Sequence, residues 1–153
     1  MSDAAGKTLI IGVGNVYRGD DGAGIVAARL LKSQLSHEIR VMEQSGEGTA
    51  LAESWKGAER VILVDAVQSG AAPGTVRRFD AHKEKIPREM FQRSTHTFGV
   101  ADAIEVARAL KEMPPHIVIY TIEGERFDYS NQLTESVAAG VREAVNAIRK
   151  LCV

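Results

Sequence analysis

The stretch that decides the fold is Leu9-Ile10-Ile11-Gly12-Val13-Gly14-Asn15-Val16-Tyr17-Arg18-Gly19-Asp20-Asp21-Gly22-Ala23-Gly24. An unbroken apolar run passes into glycines, then into two adjacent carboxylates, then into a stretch that reads as a helix. A run apolar on both faces marks a strand buried in a parallel sheet. In open α/β sheets, ligands bind just beyond the carboxyl ends of the strands. Asp20 and Asp21 therefore stand where binding or chemistry is expected.

Working outward, the same alternation recurs. Residues 22–35 read as a helix, apolar around most of its circumference through Ile25, Val26, Ala28, Leu30, Leu31 and Leu35, so it should lie against a sheet. Asp20 or Asp21 at its start would cap free amides. Residues 39–43 form a second strand, followed by the glycine-rich 45–49 and a short helix over 50–56 with Trp55 beneath it. Residues 60–65 form a third strand, apolar from Val61 to Val64 and ending in Asp65. Past the turn residues of 70–74, the segment 75–79 alternates apolar side chains with arginines, as an edge strand does, and is free to run antiparallel. Residues 80–93 are a polar surface excursion leading to Ser94-Thr95-His96-Thr97-Phe98-Gly99. A helix over 99–112 stops at Pro114-Pro115, a strand spans 117–122 and closes in Glu123, and a last helix spans 134–151. This order predicts a single domain over residues 1–153. It is a three-layer α/β/α sandwich with a mostly parallel twisted sheet and one strand free to run antiparallel.

Composition narrows the function. The 153 residues carry a net charge of −1, and basic side chains do not cluster, so nucleic acid and anionic membranes are not expected partners. The one cysteine, Cys152, has no intrachain partner, which fits a reducing compartment. The start of the chain lacks a secretory pattern, and no apolar stretch approaches the ~20 residues that span a bilayer. A soluble cytoplasmic monomer without membrane insertion is the expectation.

Three side chains fall at strand ends or in loops: Asp21, Asp65 and His96. Two carboxylates and an imidazole suit a borderline divalent cation such as nickel or zinc, with positions left open for substrate or water. The plainer alternative makes each a helix cap or a surface group. A dinucleotide site is the rival, from Gly12-Val13-Gly14 and Glu43 at the end of the next strand. It is disfavoured because Tyr17 stands where a third glycine belongs. Two carboxylates also occupy the approach of a pyrophosphate.

On these residues the chain resembles the hydrogenase maturation proteases, which trim a C-terminal extension from the large subunit of nickel–iron hydrogenases. The stretches that carry the resemblance are Ile11-Gly12-Val13-Gly14-Asn15 with Asp20-Asp21-Gly22, Gly48-Thr49, Val64-Asp65-Ala66, Ala72-Pro73-Gly74-Thr75, and Ser94 through Asp102. They occur in the family's order and cover essentially the whole chain. The resemblance implies that Asp21, Asp65 and His96 are the catalytic and metal-binding positions; the first is Glu in many members. It implies that the metal is nickel, already seated in the large-subunit precursor and read as proof of assembly. Another divalent metal would be able to occupy the site of the isolated protein. Asn15, Asp20, Gly48 and Thr49 become candidate substrate contacts, joined by Glu123 at its strand end. No serine or cysteine with an activating partner is recognisable, which favours water as the attacking group. The alternative is a non-catalytic metal- or precursor-binding maturation factor on the same fold.

Overall fold

Continuous apolar runs of β-branched residues need a neighbour on both edges and both faces, and the sheet supplies them. The computed structural model describes residues 7–91 and 96–152. Its strands are β1 (Thr8–Val13), β2 (Arg40–Gln44), β3 (Arg60–Val67), β4 (Val76–Asp80) and β5 (His116–Glu123), in the order β2-β1-β3-β5-β4. The β1–β2, β1–β3 and β3–β5 pairs are parallel, whereas β4 runs antiparallel on the edge beside β5. Arg77 and Arg78 are exposed on that edge strand, and such charges discourage strand addition.

The helices are α1 (Ala23–Gln34), α2 (Gly48–Ser54), α3 (Val100–Ala109) and α4 (Glu135–Leu151). Side-chain alternation along β1, β3 and β5 splits the core in two. Leu9, Ile11, Leu63 and Ile119 pack with Trp55 and Ile104 beneath α2 and α3. Ile10, Ile62, Val64 and Ile122 pack with Leu31, Val141 and Ile148 beneath α1 and α4. Each fully buried Leu or Ile contributes about 1.5–3 kcal/mol relative to exposure, so the two layers together hold the sheet between the helices. Among the described residues no helix is long and apolar enough to cross a membrane.

The strand order fixes where a cleft can open. The chain leaves β1 toward β2 on one side and reaches β3 on the other, so the crevice lies at the carboxyl ends of β1 and β3. Glycine makes the close approach there. A Cβ on Gly24 would collide with the Val64 and Val13 carbonyls, and one on Gly12 with the Gly24 carbonyl. Helix α1 therefore sits directly on β1 and β3.

Several boundaries differ from the sequence expectation, each for a local reason. Strand β3 runs two residues past Asp65, because β5 extends to Glu123 and pairs Ala66 with Ile122 and Val67 with Glu123. Helix α2 begins at Gly48, since the Glu47 side chain caps it by accepting from the Thr49 and Ala50 amides. Helix α3 ends at Ala109, and Lys111 takes a positive φ of 59° just beyond it. Neither Asp20 nor Asp21 caps α1. Its N-cap is Gly22, with no side-chain hydrogen bond. The expected absence of a secretory pattern at residues 1–6 lies outside the described residues, as do Ser94 and Thr95.

Candidate active site

The loop after β1 is bent by Gly14, whose φ of 146° disfavours any side chain, and whose Cβ would meet the Asp21 carbonyl. The amide of Asn15 donates to that same carbonyl at 3.2 Å. This folding-back delivers Asp21, half-buried on the short 3-10 turn Gly19–Gly22, to the mouth of the crevice. Asp65 arrives from β3 and is 7 % exposed. His96, half-buried, comes from the segment that precedes α3. All three line one cleft of about 100 Å³, together with Asn15 and Arg18 from the first loop and Ser45 and Gly46 from the end of β2. Asp21, Asp65 and His96 thus share one cleft.

The electrostatics of the cleft are uneven. Burial pushes the Asp65 carboxyl well above the usual carboxylate range, and the like charge of Asp21 pushes it further; a hydrogen bond from the Ala66 amide opposes both. Glu47, at the start of α2, is held below its usual range by the Thr49 amide and then the Ala50 amide, with His96 adding a smaller pull. Beside Asp65 in the parallel register stands Thr121. Its hydroxyl is buried without a hydrogen-bond partner, as is the amide oxygen of Gln44 at the end of β2.

Two crowded carboxylates are a place where a cation relieves repulsion, and the oxygen-plus-imidazole donor set suits a borderline divalent ion. Among the described residues, however, no three His, Cys, Asp or Glu side chains lie close enough to hold a metal ion by themselves. The donor types fit a borderline divalent ion, whereas their spacing here does not close on one.

Four of the proposed substrate contacts lie elsewhere. Asp20 is fully buried, and its carboxylate accepts from the amides of Glu125, Arg126 and Thr134 at 2.8, 2.9 and 2.8 Å and from the Thr134 hydroxyl at 2.9 Å. It fastens the 125–134 loop. Glu123 is 3 % exposed and accepts from the Ser69 amide and hydroxyl at 2.7 and 2.6 Å and from the Gly70 amide at 3.2 Å. Gly48 is buried against the Phe98 ring, which leaves no room for a Cβ. Thr49 is exposed, but on a groove between α2 and α3 that shares no lining residue with the cleft. Asn15 does line the cleft, its side-chain oxygen accepting from the Tyr17 amide at 2.9 Å. Arg18, Ser45 and Phe91 also line it and were not singled out from the sequence. Arg18 had a signal, standing in the glycine-bounded loop that carries Asp21; Phe91 had none.

Comparison with known proteins identifies the family. Residues 25–151 match the family model described as hydrogenase maturation protease. The chain is similar to the structure of the NiFe hydrogenase maturation protease HybD from Thermococcus kodakarensis, at 30% identity, with a TM-score of 0.73, over 95% of this chain and 99% of that one. An endopeptidase from Escherichia coli shares the fold, with a TM-score of 0.79 at 23% identity over 92% and 88% of the two chains. Among curated proteins, the hydrogenase expression/formation protein HupM of Azotobacter chroococcum is 27% identical, over 95% of this chain and 71% of its own length. The chain belongs to the hydrogenase maturation protease family, which processes the C-terminus of the hydrogenase large subunit.

Proposed function

We propose that this protease removes the C-terminal extension of a nickel–iron hydrogenase large-subunit precursor and uses the precursor's own nickel as the recognition element. The observation that carries the proposal is the convergence of Asp21, Asp65 and His96 on one small cleft at the strand carboxyl ends. Two carboxylates and an imidazole are donor types that suit a borderline divalent ion, and closing all three on one ion would require side-chain movement from this arrangement. The carboxylates of Asp21 and Asp65 and the imidazole of His96 would complete the nickel's shell and thereby hold the extension in the cleft. Such a metal supplies Lewis acidity toward a carbonyl or a water.

The chain's own residues account for the rest. The carboxylate oxygen that stays outside the metal's shell would take the proton from attacking water. Asn15 and Arg18 stand at the mouth of the cleft, where main-chain carbonyls of an extended substrate would pass. The same reading has the chain act as a cytoplasmic monomer.

The test is incubation with nickel-loaded and nickel-free precursor, followed by intact mass measurement. Loss of the extension from the loaded form alone is the expected result. Equal cleavage of both forms removes nickel from the proposal, and binding without any cleavage leaves a non-catalytic maturation factor.

A further inference from the structure

Among the described residues, two aromatic side chains are exposed: Tyr17 at 62 % and Tyr129 at 89 %. Every other described Phe, Tyr or Trp ring is buried or half-buried. The two stand on loops that are bonded to each other. The Ser130 amide donates to the Tyr17 carbonyl at 3.0 Å, the Gly19 amide to the Ser130 carbonyl at 2.8 Å, and the Asp20 amide to the Arg126 carbonyl at 2.8 Å. From beneath, the buried Asp20 carboxylate gathers the Glu125, Arg126 and Thr134 amides. The result is a rigid two-loop rim. It is continuous with the cleft, because the loop bearing Tyr17 also carries Asn15, Arg18 and Asp21.

A cleft of about 100 Å³ accepts a few side-chain atoms. A specific protein–protein contact buries roughly 800 Å² on each partner. A folded protein substrate must therefore make most of its contact outside the cleft. Tyrosines on a rigid scaffold are suited to that, since they offer large amphipathic area and lose little freedom on binding. We propose that Tyr17 and Tyr129 anchor the folded body of the large-subunit precursor beside its extension, which makes the rim a specificity surface separate from the chemistry. The proposal rests on the peptidase reading for the identity of the partner. The competing surface is the apolar groove between α2 and α3, where Val106 and Leu110 are exposed, and it has no lining residue in common with the cleft.

Binding is measured with nickel-loaded precursor on an Asp65→Asn background, so that no turnover intervenes. Adding Tyr17→Ala and Tyr129→Ala should weaken binding at least tenfold at unchanged melting temperature. Tyr17→Phe with Tyr129→Phe should restore most of it, and Val106→Ser with Leu110→Ser should leave it intact. With the cleaving wild-type chain as parent, the alanine pair should raise KM while kcat stays within twofold. A synthetic extension peptide supplied with Ni²⁺ should bind the parent and the alanine pair alike. Unchanged precursor affinity, an equal loss for the peptide, or a loss carried by the α2–α3 groove instead would each overturn the proposal. If the wild-type chain binds the loaded precursor through the rim but never cleaves it, the peptidase reading fails and the rim stands.

Discussion

The clasp beneath the rim and the cleft above β3 both bury carboxylates, and they treat them in opposite ways. Asp20 is fully buried, yet three amides and a hydroxyl fill its oxygens. Glu123 has two amides and a hydroxyl. Asp65 is buried almost as deeply, but it faces Asp21, and burial outweighs the help it receives from the Ala66 amide. A buried charge is costly unless it is paired or fully hydrogen-bonded. The clasp meets that condition and holds loops in place; the cleft leaves it unmet, which is what a site awaiting a cation or a proton requires.

The sharpest way to break this comparison is Asp65→Asn. Processing of loaded precursor should fall by about 10²- to 10⁴-fold, read as the initial rate of mass loss. The same variant should melt at a higher temperature than the parent near neutral pH, because it removes an uncompensated buried charge. The sign follows from the raised proton affinity. A carboxyl whose folded pKa lies above the unfolded value of about 3.9 favours folding at low pH, and that contribution is lost as pH rises through the folded pKa. The stability advantage of Asp65→Asn should accordingly vanish toward pH 4 and grow as pH rises. A variant that lost stability at pH 7 would place Asp65 with the clasp.

Asp20→Ala should do the reverse, with a loss on the order of 3 kcal/mol in urea unfolding, since it strands several buried donors at once. Glu123→Gln should cost less, about 1–2 kcal/mol, because one acceptor oxygen survives to serve the 69–70 turn. The smallest effect belongs to Thr121→Val. It replaces a buried, unpartnered hydroxyl by a methyl group of the same shape, and should gain up to about 1 kcal/mol. Equal destabilisation by Asp20→Ala and Asp65→Ala would erase the distinction between the two regions.

How much of this was legible beforehand depends on the range of the interaction concerned. Strand β1 was legible because an apolar run ending in glycine is a local signal. The antiparallel edge of β4 was visible in its alternating arginines. Asp20 and Asp21 were indistinguishable as neighbours in sequence. One turns inward to amides more than 100 residues away, and the other outward to the cleft. The partners of Glu123 were hidden for a similar reason, since Ser69 and Gly70 sit in a turn 54 and 53 residues earlier.

By itself the sequence determined the alternation of strands and helices, the packing of α1 against the sheet, and the choice of Asp21, Asp65 and His96 as candidate residues. Each of these is written in local periodicity or in a motif of a few adjacent residues. Only the tertiary structure decided which buried carboxylates are satisfied and which one is left under strain. It also decided that Tyr17 and Tyr129 meet on one rim. Hydrogen-bond satisfaction and surface adjacency are properties of distant segments brought together, and no local pattern encodes the partner.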